Sequence, residues 1–253
     1  MFSHTYRPGS LSEIVGQDHI INEMKRRSFL MDFPQAMLFS GPTGTGKTTL
    51  CHMLSALINC SSPQKEKDVE ENEFMSPCLD CASCRSVINQ RFDRDISVFN
   101  ASTLGKASVE RLDELVSLSP FYDKNKIVII EEFQEFFSSR SYGPLLTLLE
   151  GLTKGVYFFL IGMDISKVSE AIQDRCAYYR FMPVPVPEIV VYLHRVLEKA
   201  ALTSAVPDHF IAEGLTLIAE RANGSVRRAV RDLEMCISGE SYSRHSIETI
   251  LAY

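Results

Sequence analysis

The feature that most constrains the fold is a glycine-rich run at residues 41–48, which has the sequence Gly-Pro-Thr-Gly-Thr-Gly-Lys-Thr. It fits the phosphate-binding loop pattern G-x-x-x-x-G-K-[ST]. An apolar stretch at 36–40 precedes it, and a helix-like stretch at 48–58 follows it. The alternative, a glycine-rich turn without a ligand, is disfavoured by these flanking patterns. The run therefore predicts a strand, a loop and a helix that together bind a nucleoside triphosphate.

Each residue type in this phosphate-binding loop has a chemical task. The glycines allow backbone N–H groups to approach phosphates, Lys47 reaches the β- and γ-phosphate oxygens, and the Thr48 hydroxyl can ligate Mg²⁺. A second pattern is the apolar run at 127–130, which is followed by Glu131 and Glu132. The carboxyl ends of strands are where α/β sheets place their ligands.

We therefore expect Glu131 to support the Mg²⁺ shell and Glu132 to polarise the attacking water. On their own, two acidic residues after a strand are commonly part of a solvated loop. The phosphate-binding loop upstream favours the functional interpretation.

A third pattern is a cluster of cysteines around an acidic segment. Cys78, Cys81 and Cys84 are spaced three residues apart, and Cys60 ends the helix that follows the phosphate-binding loop. Four thiolates suit a tetrahedral structural Zn²⁺, which would close the polar segment at 61–77 into a zinc module spanning about 60–84. An iron–sulfur cluster and free thiols are the alternatives. The segment at 61–77 is predicted to be a solvated loop, and buried small residues are expected at Cys51, Cys176 and Cys236.

The order of apolar segments predicts the architecture. Strands are expected at Ala36–Ser40, 95–100, 126–130, 156–162 and 178–181, and helix-like stretches separate them. Such alternation favours a mostly parallel five-stranded sheet that is covered on both faces. Three prolines at alternate positions, Pro183, Pro185 and Pro187, mark a boundary between domains 1–182 and 183–253. The second domain is expected to be helical, with helices at 187–202, 207–222, 225–237 and 243–252.

Composition excludes some functions. The net charge is −6, so the surface as a whole is not a cationic field for nucleic acid. The chain starts without an apolar signal core, and its longest apolar run, at 156–163, is too short to span a bilayer. We therefore expect a cytoplasmic protein with no membrane partner, and seven cysteines in that reducing compartment favour metal ligation over disulfides.

Several motifs occur in the order found in clamp-loader ATPases. They include the phosphate-binding loop, the cysteine run and the short segments at 7–8, 14–19, 57–60, 100–102, 145–150, 174–176 and 224–227. The chain resembles the gamma/tau-type ATPase subunit of the bacterial DNA polymerase III clamp loader, a member of the AAA+ family. The resemblance covers nearly the whole chain, and the cysteine insertion makes it specific.

The resemblance implies a P-loop NTPase with a helical lid over its nucleotide site, which uses ATP to load a sliding clamp on primer–template DNA. It implies that Glu132 is the catalytic base, that Arg175 is an arginine finger for a neighbouring subunit, and that Arg227 senses the γ-phosphate. The adenine and ribose side would be lined by Tyr6, Arg7, Val15 and Gly16. The phosphates would be held by Thr43, Gly44, Thr45, Gly46, Lys47, Thr48 and Thr49.

The same resemblance implies partners: other clamp-loader subunits, the sliding clamp, and primer–template DNA held through its backbone rather than its sequence. Phosphate contacts are expected among Lys106, Arg111, Ser138, Ser139 and Arg140, and ordinary solvated helix ends are the alternative for all of them. The family has a C-terminal helical collar, whereas this sequence ends at Tyr253. A chain without a collar is therefore expected.

The chain departs from the family pattern at several positions. Glu131 stands where the family has aspartate, Asp174 stands where it has serine before the finger arginine, and Gly143-Pro144 replaces a helix-compatible pair. The end of the fourth strand, at 160–163, lacks the threonine that senses the γ-phosphate. These departures leave two alternatives open: an ATP-binding structural or regulatory subunit with little hydrolysis, and an AAA+ protein of another DNA transaction.

Overall fold

A parallel sheet lies at the centre of the protein, whose computed structural model describes residues 2–92, 94–103, 106–138 and 143–251. Its neighbouring strands are all parallel, in the order β4-β5-β6-β1-β7. A separate antiparallel hairpin joins β2 to β3. The strands are β1 (Ala36–Ser40), β2 (Gln64–Lys67), β3 (Glu73–Ser76), β4 (Ile96–Asn100), β5 (Lys126–Glu131), β6 (Val156–Ile161) and β7 (Ala177–Arg180). The predicted five-stranded parallel sheet is confirmed.

Helices cover both faces of the sheet and form the C-terminal part of the chain. They are α1 (Phe2–Thr5), α2 (Asp18–Leu30), α3 (Lys47–Ile58), α4 (Ala82–Ile88), α5 (Lys106–Ser117), α6 (Gly143–Glu150), α7 (Glu170–Gln173), α8 (Val186–Lys199), α9 (Leu215–Arg221), α10 (Val226–Ser238) and α11 (Arg244–Ile250). Short 3₁₀ segments lie at Leu11–Glu13, Phe133–Ser138 and Ile165–Lys167. Within the described ranges, no helix is long and apolar enough to cross a lipid bilayer.

The central strands are apolar on both faces because both faces are covered. Phe39 and Ile129 point into the cluster formed with α2 and α3. Leu38, Val128 and Ile130 point into the opposite cluster, formed with α5 and α6. Side chains alternate with a period of two along a strand, so a strand that is buried on both sides needs an unbroken apolar run. Residues 127–130 form such a run.

The segment at 61–77 is folded into the β2–β3 hairpin, so the prediction of a solvated loop is wrong. Phe74 is 0% exposed and packs against α2. The ammonium of Lys25 lies 5.0 Å from the centre of the Phe74 ring, and it also pairs with Asp68 at 3.5 Å. The Asp68 carboxylate accepts the backbone N–H of Asn72 at 2.9 Å, which closes the turn. The hairpin could not be predicted from the sequence, because one buried aromatic residue among charged neighbours does not produce an alternating apolar pattern.

The C-terminal helices α8–α11, here called the lid, share a third apolar cluster. The predicted helix at 207–222 instead begins with a π-helical segment, Phe210–Gly214, which continues into α9. A Cβ atom at Gly214 would lie 2.5 Å from the Phe210 ring, so the ring needs a glycine at this position. Phe2 and Tyr6 from the N-terminus also pack on the lid cluster. The division into domains 1–182 and 183–253 stays a prediction.

Candidate functional site

The phosphate-binding loop connects β1 to α3 and forms one wall of a cavity of about 270 Å³. Gly41, Gly44 and Gly46 have φ values of 133°, 80° and 106°, which residues with a side chain rarely adopt. A Cβ atom at Gly41 would also lie 2.2 Å from the carbonyl oxygen of Phe181. The loop therefore needs its glycines for both backbone conformation and space.

Lys47 is the first residue of α3, and its side chain folds back over the loop. The Nζ atom donates hydrogen bonds to the carbonyl oxygens of Gly41 and Pro42, each at 2.7 Å. Lys47 is only 7% exposed. Burial, together with the positive charge of Arg227, lowers the pKa of Lys47 to about 8. The loop thus holds a cation whose hydrogen-bond partners are neutral carbonyl oxygens, and such a cation is suited to bind an anionic ligand.

Two acidic residues at the end of β5 face the loop. Thr48 Oγ1 donates to Glu131 Oε1 at 3.4 Å, so the two predicted magnesium ligands lie side by side. Glu132 is exposed, lines the cavity, and has a left-handed φ of 53°. Residues with a side chain adopt this conformation at a cost, and they are found more often at functional sites than elsewhere.

The lid contacts the phosphate-binding loop directly through the start of α10. Ser225 caps this helix by accepting the N–H of Arg228 at 3.3 Å. The N–H of Arg227 donates to the Gly44 carbonyl at 3.3 Å, and a Cβ atom at Gly44 would lie 2.1 Å from Ser225 Oγ. Arg227 lines the cavity. Burial and the charge of Arg227 lower the pKa of Arg7, which lines the cavity from the N-terminal side.

The structure brings most of the predicted nucleotide-binding residues together, but not all of them. Tyr6 is not among the cavity-lining residues and packs instead on the apolar cluster of the lid, while its carbonyl oxygen accepts the Tyr192 hydroxyl at 2.9 Å. Gly16 also lies outside it, and a Cβ atom there would lie 2.6 Å from Val184 of the lid. The residues that do line it are Arg7, Val15, Thr43, Gly44, Thr45, Gly46, Lys47, Thr48, Thr49, Glu131, Glu132 and Arg227.

Arg175 lies outside the cavity of its own chain. It is exposed after α7, where its Nε donates to Glu150 Oε1 at 2.7 Å and its second guanidinium arm donates to the Ala171 carbonyl at 2.7 Å. From this position, Arg175 would not contact a ligand in the cavity of its own chain. It is compatible with the predicted action on a neighbouring subunit.

Sequence reasoning missed three polar residues of the cavity wall: Glu13, from the 3₁₀ segment Leu11–Glu13, and the pair Tyr192 and Gln134. Tyr192 reaches the cavity from α8, and Gln134 reaches it from the 3₁₀ segment after β5. Tyr192 lies on the apolar face of an amphipathic helix, so the sequence pattern predicts a core residue at this position. Gln134 is an amide two residues after Glu132, and no motif distinguishes it from a surface residue. Both could be assigned only from tertiary contacts.

The four predicted zinc ligands meet in space. Their sulfur atoms all lie within 4.8 Å of one another, and none of the four is in a disulfide. Cys60 follows α3, Cys78 follows β3, and Cys81 and Cys84 lie at the start of α4. Tetrahedral zinc–thiolate sites have Zn–S distances of about 2.3 Å, which puts neighbouring sulfurs about 3.8 Å apart. The cysteine cluster can therefore hold a metal ion.

The thiols of this cluster differ in acidity. Burial opposes ionisation of Cys81, but hydrogen bonds from the backbone of Ser61 and Cys84 outweigh it and lower the pKa to about 6. The backbone N–H groups of Cys81 and Asp80 likewise lower the pKa of Cys78. Burial raises the pKa of Cys84. Backbone N–H groups directed at sulfur are the donors that stabilise thiolate ligands.

The candidate DNA contacts cannot be compared with the structure. Lys106 and Arg111 fall within α5, and Ser138 ends a 3₁₀ segment, but only their backbone is described. Ser139 and Arg140 lie outside the described residues. DNA binding through these residues stays a prediction.

A parallel sheet with a phosphate-binding loop after β1, paired carboxylates after β5 and a helical lid over the loop defines a P-loop protein of the AAA+ class. The family model described as DNA polymerase III, delta subunit, matches residues 16–185. Since this match covers more than half of the chain, the protein belongs to that family.

Relatives in this family support the predicted resemblance. The chain is 27% identical over 236 residues to the DNA polymerase III subunit gamma of Buchnera aphidicola subsp. Baizongia pistaciae, covering 92% of this chain and 59% of the relative. It is 28% identical over 234 residues to subunit tau of Bacillus subtilis, covering 92% of this chain and 38% of the relative. The predicted similarity to gamma and tau subunits is confirmed, and the chain spans less than two thirds of either relative.

The fold is similar to that of a solved structure from outside this group of relatives. A variant of Thermotoga maritima RuvB superposes with a TM-score of 0.64, at 18% sequence identity, over 100% of this chain and 73% of the RuvB chain. At this level of identity the similarity concerns the fold alone. It supports the AAA+ architecture that the strand order indicates.

Proposed function

We propose that this protein is a clamp-loader-type AAA+ ATPase subunit, which uses ATP binding and hydrolysis to load a sliding clamp on primer–template DNA. The observation that carries the proposal is the composition of a single cavity. There the phosphate-binding loop, the Thr48–Glu131 pair and the lid arginine Arg227 converge. Similarity to gamma and tau subunits over 92% of the chain supports the choice of clamp loading among AAA+ functions.

The cavity residues fit a nucleoside triphosphate with Mg²⁺. The loop glycines have positive φ values, a conformation in which backbone N–H groups can face phosphates, and Lys47 and Arg227 supply positive charge. Thr48 and Glu131 are the residues that would hold Mg²⁺, because hydroxyl and carboxylate oxygens are its preferred protein ligands. When bound, Mg²⁺ neutralises charge on the phosphate oxygens. Arg7 and Val15 would contact the nucleoside from the N-terminal side.

Hydrolysis would use two further residues of this chain. Glu132 accepts a proton from the water that attacks the γ-phosphorus, while the bond from that phosphorus to the bridging oxygen breaks. The exposed carboxylate on the cavity wall suits this task. Arg175 acts on the ATP of a neighbouring subunit, which is consistent with its position outside its own cavity.

The cysteine cluster would hold Zn²⁺ as a structural ion. Four sulfurs within 4.8 Å of one another leave no ligand position for a substrate. The ion would tie the end of α3 to the β2–β3 hairpin and α4, because these elements supply all four cysteines. The proposed partners are other clamp-loader subunits, the sliding clamp and the DNA backbone, and the proposed location is the cytoplasm.

A second candidate function is an ATP-binding regulatory subunit with little hydrolysis. Two observations favour it. The residue beside Thr48 is Glu131, which is longer than the aspartate of the resembled family. The residue that follows β6 is Gly162, which has no hydroxyl group to contact a γ-phosphate. Both candidates bind ATP at the same residues, so they differ only in turnover.

The proposal is tested by nucleotide binding and hydrolysis in matched variants. Lys47→Ala is expected to abolish Mg²⁺-dependent ATP binding, whereas Lys154→Ala, on the exposed loop before β6, is expected to bind like the parent. Glu132→Gln is expected to bind ATP and to lose hydrolysis, because it lacks a base. Glu70→Gln, in the exposed hairpin turn, serves as its control.

The outcomes separate the two candidates. No ATP binding by the parent protein would refute both. Binding without turnover, with clamp and primed DNA present, would favour the regulatory subunit. Hydrolysis by Glu132→Gln at the parental rate would refute the role given to Glu132.

A further inference from the structure

Gln134 lies where the cavity meets the end of β6, and none of the roles above accounts for it. The residue is 3% exposed, and it lines the cavity together with Gly162 and Met163. Its Oε1 atom accepts the backbone N–H of Met163 at 3.1 Å. A backbone N–H can only donate, so this bond requires the oxygen, and not the nitrogen, of the carboxamide to face Met163. The orientation of the amide group follows from it.

Gly162 makes this arrangement possible. A Cβ atom at Gly162 would lie 3.0 Å from Gln134 Oε1, which is closer than side chains normally approach. A side chain at position 162 and the Gln134 carboxamide therefore compete for the same space. At the end of β6, the Gln134 carboxamide therefore occupies the space that a side chain at position 162 would otherwise fill.

The nitrogen of this carboxamide is left without a protein partner. In the part of the chain that the structure describes, no hydrogen bond joins Gln134 Nε2 to an acceptor, and Nε2 is not among the fully buried atoms that lack one. The Nε2 group therefore keeps some accessible surface on a residue that lines the cavity. Buried amides normally satisfy both donors and acceptors, so a donor left open in a cavity indicates a ligand acceptor.

We propose that Gln134 donates a hydrogen bond from Nε2 to a γ-phosphate oxygen and thereby favours triphosphate over diphosphate binding. The inference rests on the proposed function, because it assumes that ATP occupies this cavity. The γ-phosphate is the acceptor of choice because Gln134 follows Glu132, the proposed base, by two residues. Its partner Met163 also accepts a hydrogen bond from Thr43 of the phosphate-binding loop at 3.1 Å, which places Gln134 near the phosphate site.

The test uses two variants that separate the donor from the bond to Met163. Gln134→Glu keeps an oxygen for the Met163 N–H and replaces the donor with a second oxygen. Gln134→Met removes both groups at similar volume. Each is titrated with ADP and with a non-hydrolysable ATP analogue in the presence of Mg²⁺, and Gln64→Glu in the exposed strand β2 serves as the control for added charge.

We expect Gln134→Glu to bind the ATP analogue about tenfold more weakly or worse, as for a lost hydrogen bond to a charged group. Its affinity for ADP should stay within about twofold of the parent. Gln134→Met should show the same selective loss together with a lower melting temperature, because the Met163 N–H loses its acceptor.

Equal losses for both nucleotides, or no loss for either, would overturn the inference and leave the proposed function standing. A parent protein that binds neither nucleotide would overturn the proposed function and the inference with it. Retained ADP binding in the variants shows that they are folded.

Discussion

At the scale of single residues, the cavity is defined by cations that are close together and only partly neutralised. Lys47 donates to two carbonyl oxygens of its own loop, and burial followed by the charge of Arg227 lowers the pKa of both Lys47 and Arg7. Glu131 offsets part of this charge at Arg7. A phosphate chain would relieve the remaining repulsion, which is why binding and protonation are coupled in this cavity.

The coupling predicts a pH dependence of nucleotide affinity. Lys47 has a pKa of about 8 in the nucleotide-free protein, below its ordinary value of 10.5. Below that pH the ammonium is charged both before and after binding, so affinity is expected to be flat. Above it, binding has to take up a proton, and affinity should fall by up to about tenfold per pH unit.

Calorimetric titrations at pH 7 and pH 9, in buffers of different ionisation enthalpy, measure this uptake directly. We expect proton uptake at Lys47 to be close to none at pH 7 and to approach one proton at pH 9. Equal affinity at both pH values would show that nucleotide binding takes up no proton at Lys47 in this pH range, which would contradict the prediction.

At the scale of elements, the β2–β3 hairpin joins two parts of the structure. Phe74 packs the hairpin against α2. The cysteine cluster lies where the chain passes from α3 into the hairpin and from the hairpin into α4. The hairpin has only two short strands, and such a unit is marginal in water unless something else holds it. The apolar contact supplies part of that support, and the proposed zinc ion would supply the rest.

Zinc removal should therefore loosen the hairpin without changing the cavity. Chelation, or Cys81→Ser, is expected to lower the unfolding midpoint, by about 2–4 °C for each kcal/mol of lost stability. ATP affinity should stay within about twofold, because no cysteine of the cluster lines the cavity. Metal analysis, thermal melts and ATP titrations measure the three quantities.

Cys176→Ala is the matched control, since Cys176 lies outside the cluster and this variant should keep its zinc. Gently purified parent protein that lacks stoichiometric zinc would refute the assignment. A large loss of ATP affinity on chelation would instead mean that the module positions the phosphate-binding loop.

At the scale of the whole molecule, the cavity is assembled from three distant stretches of chain. Arg7 comes from the N-terminus, the phosphate-binding loop and Glu131 from the sheet edge, and Arg227 from the lid. The other predicted arginine, Arg175, is held on the surface by Glu150. The two arginines should therefore behave differently in the isolated protein.

Arg227→Ala should weaken ATP binding by about tenfold or more, because it removes a charged contact from the cavity. Arg175→Ala should leave ATP affinity within about twofold. Its ion pair with Glu150 is solvent-exposed on both sides, so its loss should cost about 0.5 kcal/mol or less of stability. Equilibrium titrations and thermal melts of both variants measure these effects.

The contrast between the two arginines is the informative result. If Arg175→Ala weakened ATP binding as much as Arg227→Ala, Arg175 would belong to the chain's own cavity and its proposed action on a neighbouring subunit would be wrong. In an assembled complex, loss of an arginine finger is expected to slow hydrolysis by about 10³-fold or more.

Patterns local in sequence were enough to predict much of this protein. The five strands, the phosphate-binding loop and the four cysteines were all assigned from residue spacing, because strand burial, glycine conformation and ligand chemistry depend on neighbours close in the chain. The hairpin at 61–77 and the π-helical turn before α9 were missed, since each depends on one aromatic residue whose packing partner is not visible in the pattern.

The tertiary structure alone decided which side chains meet. It placed Gln134 and Tyr192 on the cavity wall and left Tyr6, Gly16 and Arg175 out of it. These positions follow from contacts between segments as far apart as the N-terminus and α8, as in the hydrogen bond between Tyr192 and Tyr6. The sequence by itself determined the chemistry that the chain can offer, whereas long-range packing determined which of those groups face a common ligand.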